Sequence, residues 1–149
     1  MKRVKYVIAN WKMNGNSTSL SLIKHINNHL NKKKNKLPKV VICPPFTLLS
    51  TYTALKSINL IFGAQNIHAS NNGAFTGEIS ANMLKSIGIG TVILGHSERR
   101  KYFKETDDQL KLKVDAAISS SMKIIFCIGE EIEDRKNNNH FEIVYDQIN

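Results

Sequence analysis

Short apolar runs alternate with amphipathic stretches five times along the chain, and no other feature constrains its fold as strongly. The runs are Tyr6-Val7-Ile8-Ala9, Val40-Val41-Ile42-Cys43, Leu60-Ile61-Phe62-Gly63-Ala64, Val92-Ile93-Leu94 and Ile124-Ile125-Phe126-Cys127-Ile128. Each is short, rich in branched side chains and apolar on both faces, the pattern of a strand buried in a parallel sheet. Between them apolar residues recur at helical spacing: Leu20, Leu22, Ile23, Ile26 and Leu30, then Leu48, Leu49, Tyr52 and Leu55. Ile79, Met83, Leu84 and Ile87 follow, and then Leu110, Val114, Ala117 and Ile118. Phe141, Val144, Tyr145 and Ile148 begin a further stripe. Strand–helix alternation without linkers or repeats predicts one α/β domain over 1–149, a parallel sheet with helical crossovers. Period and length alone favour a doubly wound, flavodoxin-like sheet, which closes its core in about 150 residues. A (β/α)8 barrel normally needs about 250.

Local signals set the expected boundaries. Ser17 is read as the N-cap of the first helix and Thr47 as that of the second. Gly88 should end the third. A short helix should start at Ser97, and Thr106 with Gln109 forms a capping box for the next. Asn137-Asn138-Asn139 reads as loop. The polar stretch Gln65–Glu78 carries turn residues at Asn71-Asn72-Gly73 and Thr76-Gly77. Loops of that length in a compact domain are usually functional or mobile.

The net charge of +9 raises nucleic acid as a partner, but the distribution argues against it. The densest run, Lys32-Lys33-Lys34 with Lys36, falls where the first helix should end and where lysine favours the helix dipole. No aromatic residues interleave with it to stack bases. No apolar run approaches the roughly 20 residues of a membrane span. Met1-Lys2-Arg3-Val4-Lys5 has no apolar region or cleavage site behind it, so no secretory signal is expected. Cys43 and Cys127 lie far apart inside apolar runs, which fits reduced core thiols in the cytoplasm better than a disulfide or a metal site. His25 and His29 fall on a helix surface.

The chemistry-bearing residues sit at strand ends. His96 follows the Val92–Leu94 run and Gly95, at the carboxyl end of a buried strand where α/β sheets display their chemistry. Taken alone, it fits a satisfied, partly buried imidazole as well. Glu98 and the paired Arg99-Arg100 come directly after it. Asn10 and Lys12 lie two apart at the end of the first strand and point to one side if the extended geometry continues. Lysine there offers a point charge to a phosphate or a developing enolate oxygen, or is simply solvated. Trp11, opposite, should pack on the following helix.

Three segments taken together are specific. Ala9-Asn10-Trp11-Lys12-Met13-Asn14, Asn72-Gly73-Ala74-Phe75-Thr76-Gly77-Glu78-Ile79-Ser80 and Leu94-Gly95-His96-Ser97-Glu98-Arg99-Arg100 resemble triosephosphate isomerases, in that family's order and spacing. Cys127-Ile128-Gly129-Glu130 looks similar too, so the resemblance covers essentially all 149 residues. It implies a (β/α)8 TIM barrel, here represented by about five sequential βα units. It also implies interconversion of dihydroxyacetone phosphate and glyceraldehyde 3-phosphate without a metal or organic cofactor. By resemblance His96 is the neutral electrophile that polarises the carbonyl, and Lys12 holds substrate and stabilises the enediolate. The neutral histidine is a property carried over from the family, though a helix starting near Ser97 would also disfavour imidazolium. Asn10 matches a substrate-contacting amide, and Glu98 a carboxylate that pairs with the lysine. Thr76 matches the loop that enters a partner subunit in the family's homodimer, through 65–80, and Gln65 supports the same region. Cys127 matches a buried cysteine near the site.

The family's general base, in an Ala-x-Glu-Pro-x-Trp segment after strand six, has no counterpart among these 149 residues. The phosphate-gripping lid and the glycine pair after strand eight are likewise without counterparts. Glu130 and Glu131 follow a different strand, and a base must be placed to within about an ångström. The expectation is a family isomerase in descent, with little activity in this stretch by itself. An incomplete gene reading, a shortened gene and one piece of a split enzyme all fit. A non-catalytic phosphate-binding or interaction module on a doubly wound sheet is the competing expectation. Strand order separates the two folds: 2-1-3-4-5 against sequential 1-2-3-4-5.

Overall fold

A computed structural model describes residues 3–32, 38–53, 55 and 60–149. Most of the lysine run, Lys33, Lys34 and Lys36, lies outside the described residues. The elements run β1 (Tyr6–Asn10), a 3-10 turn (Ser17–Ser19), α1 (Leu20–Lys32), β2 (Lys39–Cys43), α2 (Phe46–Tyr52), β3 (Leu60–Phe62) and α3 (Ala81–Ser86). Then come β4 (Thr91–Leu94), α4 (Ser97–Tyr102), α5 (Asp107–Ser119), β5 (Lys123–Phe126), α6 (Ile132–Lys136) and α7 (His140–Asp146).

All strand pairs are parallel. Val7 opposes Val40 and Val41 opposes Ile61, which sets the order β1-β2-β3, while Thr91 opposes Lys123 in the β4-β5 pair. Ala64 joins the two groups: its N–H donates to the Thr91 carbonyl at 2.8 Å, and its carbonyl accepts from Ile93 at 2.9 Å. The order is therefore sequential, and the doubly wound alternative is overturned. Periodicity could not decide this, because helices crossing to one face or to both leave the same apolar pattern in the strands.

Two apolar clusters lie on the two faces of the sheet. Ile23, Leu49, Tyr52, Leu84, Leu94 and Leu110 fill the space between strands and helices. Val41, Cys43 and Ile93, with Ile61, Ile125 and Cys127 around them, form the second cluster. Full burial holds for β4 but not for β1, where Val7 is 53% exposed. Some helical stripes also differ from expectation. The buried face of α5 is Leu110, Lys113, Ala116 and Ala117, so Ile118 points outward, as do Leu22 and Met83. Phe141 and Tyr145 on α7, and Ile148 just after it, are exposed, Phe141 by 80%.

The caps follow the same logic with shifts. Asn16, not Ser17, caps the first turn: its Oδ1 accepts from Thr18 N at 3.0 Å and Ser19 reciprocates. Pro45 precedes α2, and Thr47 lies inside it. The Thr106–Gln109 box is formed as expected, and Gly88 ends α3 at φ +82°. α6, just before the Asn137–Asn139 loop, carries no sequence signal of its own, because five residues are too few to show a period.

Gly63 lets β3 approach its neighbours. A Cβ there would lie 2.8 Å from Cys43 Sγ and 3.3 Å from the Thr91 carbonyl oxygen. Gly63→Ala is expected to destabilise by about 1–3 kcal/mol, the usual range for overpacking. A lower urea midpoint at unchanged slope checks this, and an unchanged midpoint contradicts it.

Candidate active site

The site is built where β1, β3 and β4 end. The extended backbone stops at Asn10, and Lys12 adopts φ +53°, a left-handed conformation uncommon outside glycine. Lys12 therefore does not continue the strand alternation expected of it. Three hydrogen bonds hold the turn. Lys12 N donates to Asn10 Oδ1 at 2.9 Å, and Gln65 Nε2 donates to the Lys12 carbonyl at 2.9 Å and to the Cys43 carbonyl at 2.8 Å. Such local strain persists where surrounding structure determines it. Trp11 packs into the outer core, its ring edge toward Tyr52 on α2 with centroids 6.3 Å apart.

On the facing side, Gly95 turns the chain at φ +75° and His96 caps α4. His96 Nδ1 accepts from the Glu98 backbone N–H at 3.2 Å. That bond uses the Nδ1 lone pair, so the network assigns the ring proton to Nε2. Glu98 Oε2 lies 3.7 Å from Nδ1, too far for a hydrogen bond. Its other oxygen, Oε1, accepts from Lys12 Nζ at 2.7 Å. Asn10, Lys12, Gln65, Asn66, His96, Glu98 and Arg99 thus share the wall of one small pocket, with Met13, Phe46 and Phe103 completing it.

The Lys12 hydrogen bond, and then its charge, hold the Glu98 carboxyl below the ordinary value of 4.5. A depressed carboxylate pairs fully above its ordinary range and releases its partner as pH falls through the lowered value. Both groups are well exposed, so the pair orients more than it stabilises. The Glu98 carboxyl carbon should titrate by NMR below 4.5, and Lys12→Met should move that midpoint upward. A midpoint indifferent to the substitution contradicts the pairing.

Thr76 is exposed on 71–78 and does not reach this pocket. Its loop is nonetheless ordered by its own contacts. The Phe75 ring stacks 4.1 Å from that of His68, and His68 N donates to the Ile79 carbonyl at 2.8 Å. Glu130 and Glu131 line a second cleft that also touches His96. Glu130 pairs with Arg135, and hydrogen bonds from the backbone and from that guanidinium hold its carboxyl low, which makes it a weak base. Burial pushes the Cys43 thiol up to about 12 and raises that of Cys127, so neither is a poised nucleophile.

Sequence reasoning missed a buried network behind the pocket. Glu105 Oε1 accepts from Arg99 Nε at 3.1 Å and from Lys113 Nζ, which also donates to Asn66 Oδ1 at 3.0 Å. The one available signal was Lys113, a lysine three residues after Leu110 on the buried stripe of α5. Among the described residues no cluster of His, Cys, Asp and Glu could hold a metal ion, and no helix is long and apolar enough to cross a membrane.

Sequentially ordered parallel βα units with polar side chains gathered at the carboxyl ends define the β/α-barrel class of enzyme scaffold. The family model described as triosephosphate isomerase matches residues 5–149. The triosephosphate isomerase of Flavobacterium psychrophilum is 49% identical over 98% of this chain, and that of Alkaliphilus oremlandii 48% identical over 98%. The crystal structure of triosephosphate isomerase from Bartonella henselae superposes with a TM-score of 0.89 at 37% identity, covering 97% of this chain and 60% of that one. The chain belongs to the triosephosphate isomerase family. It spans 58% of the length of each of the two curated relatives.

Proposed function

We propose that the chain supplies the electrophile and cation side of a triosephosphate isomerase site, which interconverts dihydroxyacetone phosphate and glyceraldehyde 3-phosphate through an enediolate. The observation that carries this is the meeting of Lys12 and His96 at one pocket, both tied to Glu98. His96 Nε2–H donates to the carbonyl oxygen as negative charge develops there. The Lys12 ammonium attracts the phosphate and the enediolate oxygen. Asn10 contacts substrate while its Oδ1 fixes the Lys12 turn, and Gln65 fixes that turn from the other side. Glu98 orients Lys12 and supports proton movement. Thr76, in loop 65–80, serves a homodimer by reaching the partner's Asn10–Lys12 region. The setting is cytoplasmic glycolysis and gluconeogenesis, in keeping with two free thiols.

A phosphorylated hydroxamate, a stable mimic of the enediolate, is the test ligand. Calorimetric titration of the chain should show binding that weakens at least about tenfold, near 1.4 kcal/mol, in Lys12→Met. Equal affinity in the variant would remove Lys12 from the substrate site.

A further inference from the structure

The paired arginines after Glu98 point in different directions. Arg99 turns to Glu105, whereas Arg100 turns back on the chain. Its Nε donates to the Gly95 carbonyl at 3.1 Å, and its Nη1 pairs with Asp107, the first residue of α5. The peptide it grips is also closely packed against the chain after β5. Gly95 sits at φ +75°, and a Cβ there would lie 2.8 Å from the Cys127 carbonyl oxygen, so the backbone after β5 abuts the turn. One residue later stands His96, whose ring depends on the Glu98 N–H for its orientation.

We propose that Arg100 is a positioning residue for His96: it locks the Gly95 peptide to the start of α5 and so fixes the turn that aims the imidazole. Two arms of one planar guanidinium do this at once. Lysine, with one compact ammonium, cannot span both partners in that geometry. The contribution to chemistry rests on the isomerase reading, in which His96 polarises the carbonyl. The turn geometry does not rest on it.

Amide exchange and chemical shifts of the 15N-labelled chain therefore test the proposal without any assay of activity. In Arg100→Lys the Glu98 amide should exchange at least about tenfold faster, and the Glu98 amide and His96 ring nitrogens should shift, while β2 amides keep their protection. Asp107→Ala, which removes the acceptor of one arm only, should move the same signals in the same direction by less, and it serves as the deciding variant if Arg100→Lys does not fold. Unchanged Glu98 and His96 signals would overturn the proposal. So would faster exchange shared equally by β2, which would mark a merely structural arginine. Either result leaves the isomerase reading to be judged by ligand binding.

Discussion

Assayed by itself, the 149-residue chain should isomerise triose phosphate at least about a hundredfold more slowly than a complete relative. The reasoning is chemical. Moving a proton between adjacent carbons needs an electrophile for the carbonyl and a base for the carbon-bound proton. In the proposed site His96 and Lys12 are assigned the first of these roles, and they meet at one pocket. The carboxylates near them are engaged: Glu98 by Lys12 and Glu130 by Arg135, both held low and so poor acceptors. A positioned general base contributes about 10²–10⁴-fold, which sets the size of the deficit. Coupled-enzyme turnover measured beside that of a complete family member decides it. Turnover within tenfold would mean that a carboxylate in this chain takes the proton.

Glu105→Ala should produce the largest loss of stability. Glu105 and Lys113 are 6% and 8% exposed, and Arg99 leans on the same carboxylate oxygen. Removing the carboxylate leaves two cations facing each other, Lys113 with only the Asn66 amide oxygen as partner. Breaking a buried pair by deleting one member costs about 3–5 kcal/mol. A domain holds only about 5–15 kcal/mol in total. Urea unfolding should show the midpoint fall by a large fraction of its value. The functional cost should follow, because Arg99 and Asn66 both line the Lys12 pocket and the network sets their separation. An unfolding free energy within about 1 kcal/mol of the parent's would mean that water reaches the site and solvates the cations.

Much of the fold was legible because it is local. The Thr106–Gln109 box, the stop at Gly88 and the buried β4 all follow from neighbours in sequence. Strand order was not, since the joint between β3 and β4 is a single residue, Ala64, bonded across the sheet. Family resemblance supplied it where periodicity pointed to the other fold. In the site, His96, Glu98, Asn10 and Lys12 were visible from motif and position. Their geometry was not: Lys12 leaves the strand for the left-handed region because Gln65, 53 residues away, holds its carbonyl. The Glu105 network escaped for the same reason, joining residues as many as 47 apart.

The imidazole of His96 offers the most direct measurement of the whole account. Nitrogen-15 spectra of the uncharged ring should show a bare Nδ1, accepting from the Glu98 amide, and the proton on Nε2, as the proposed role requires. A proton found on Nδ1 of the uncharged ring would be incompatible with that bond and would contradict the proposed site.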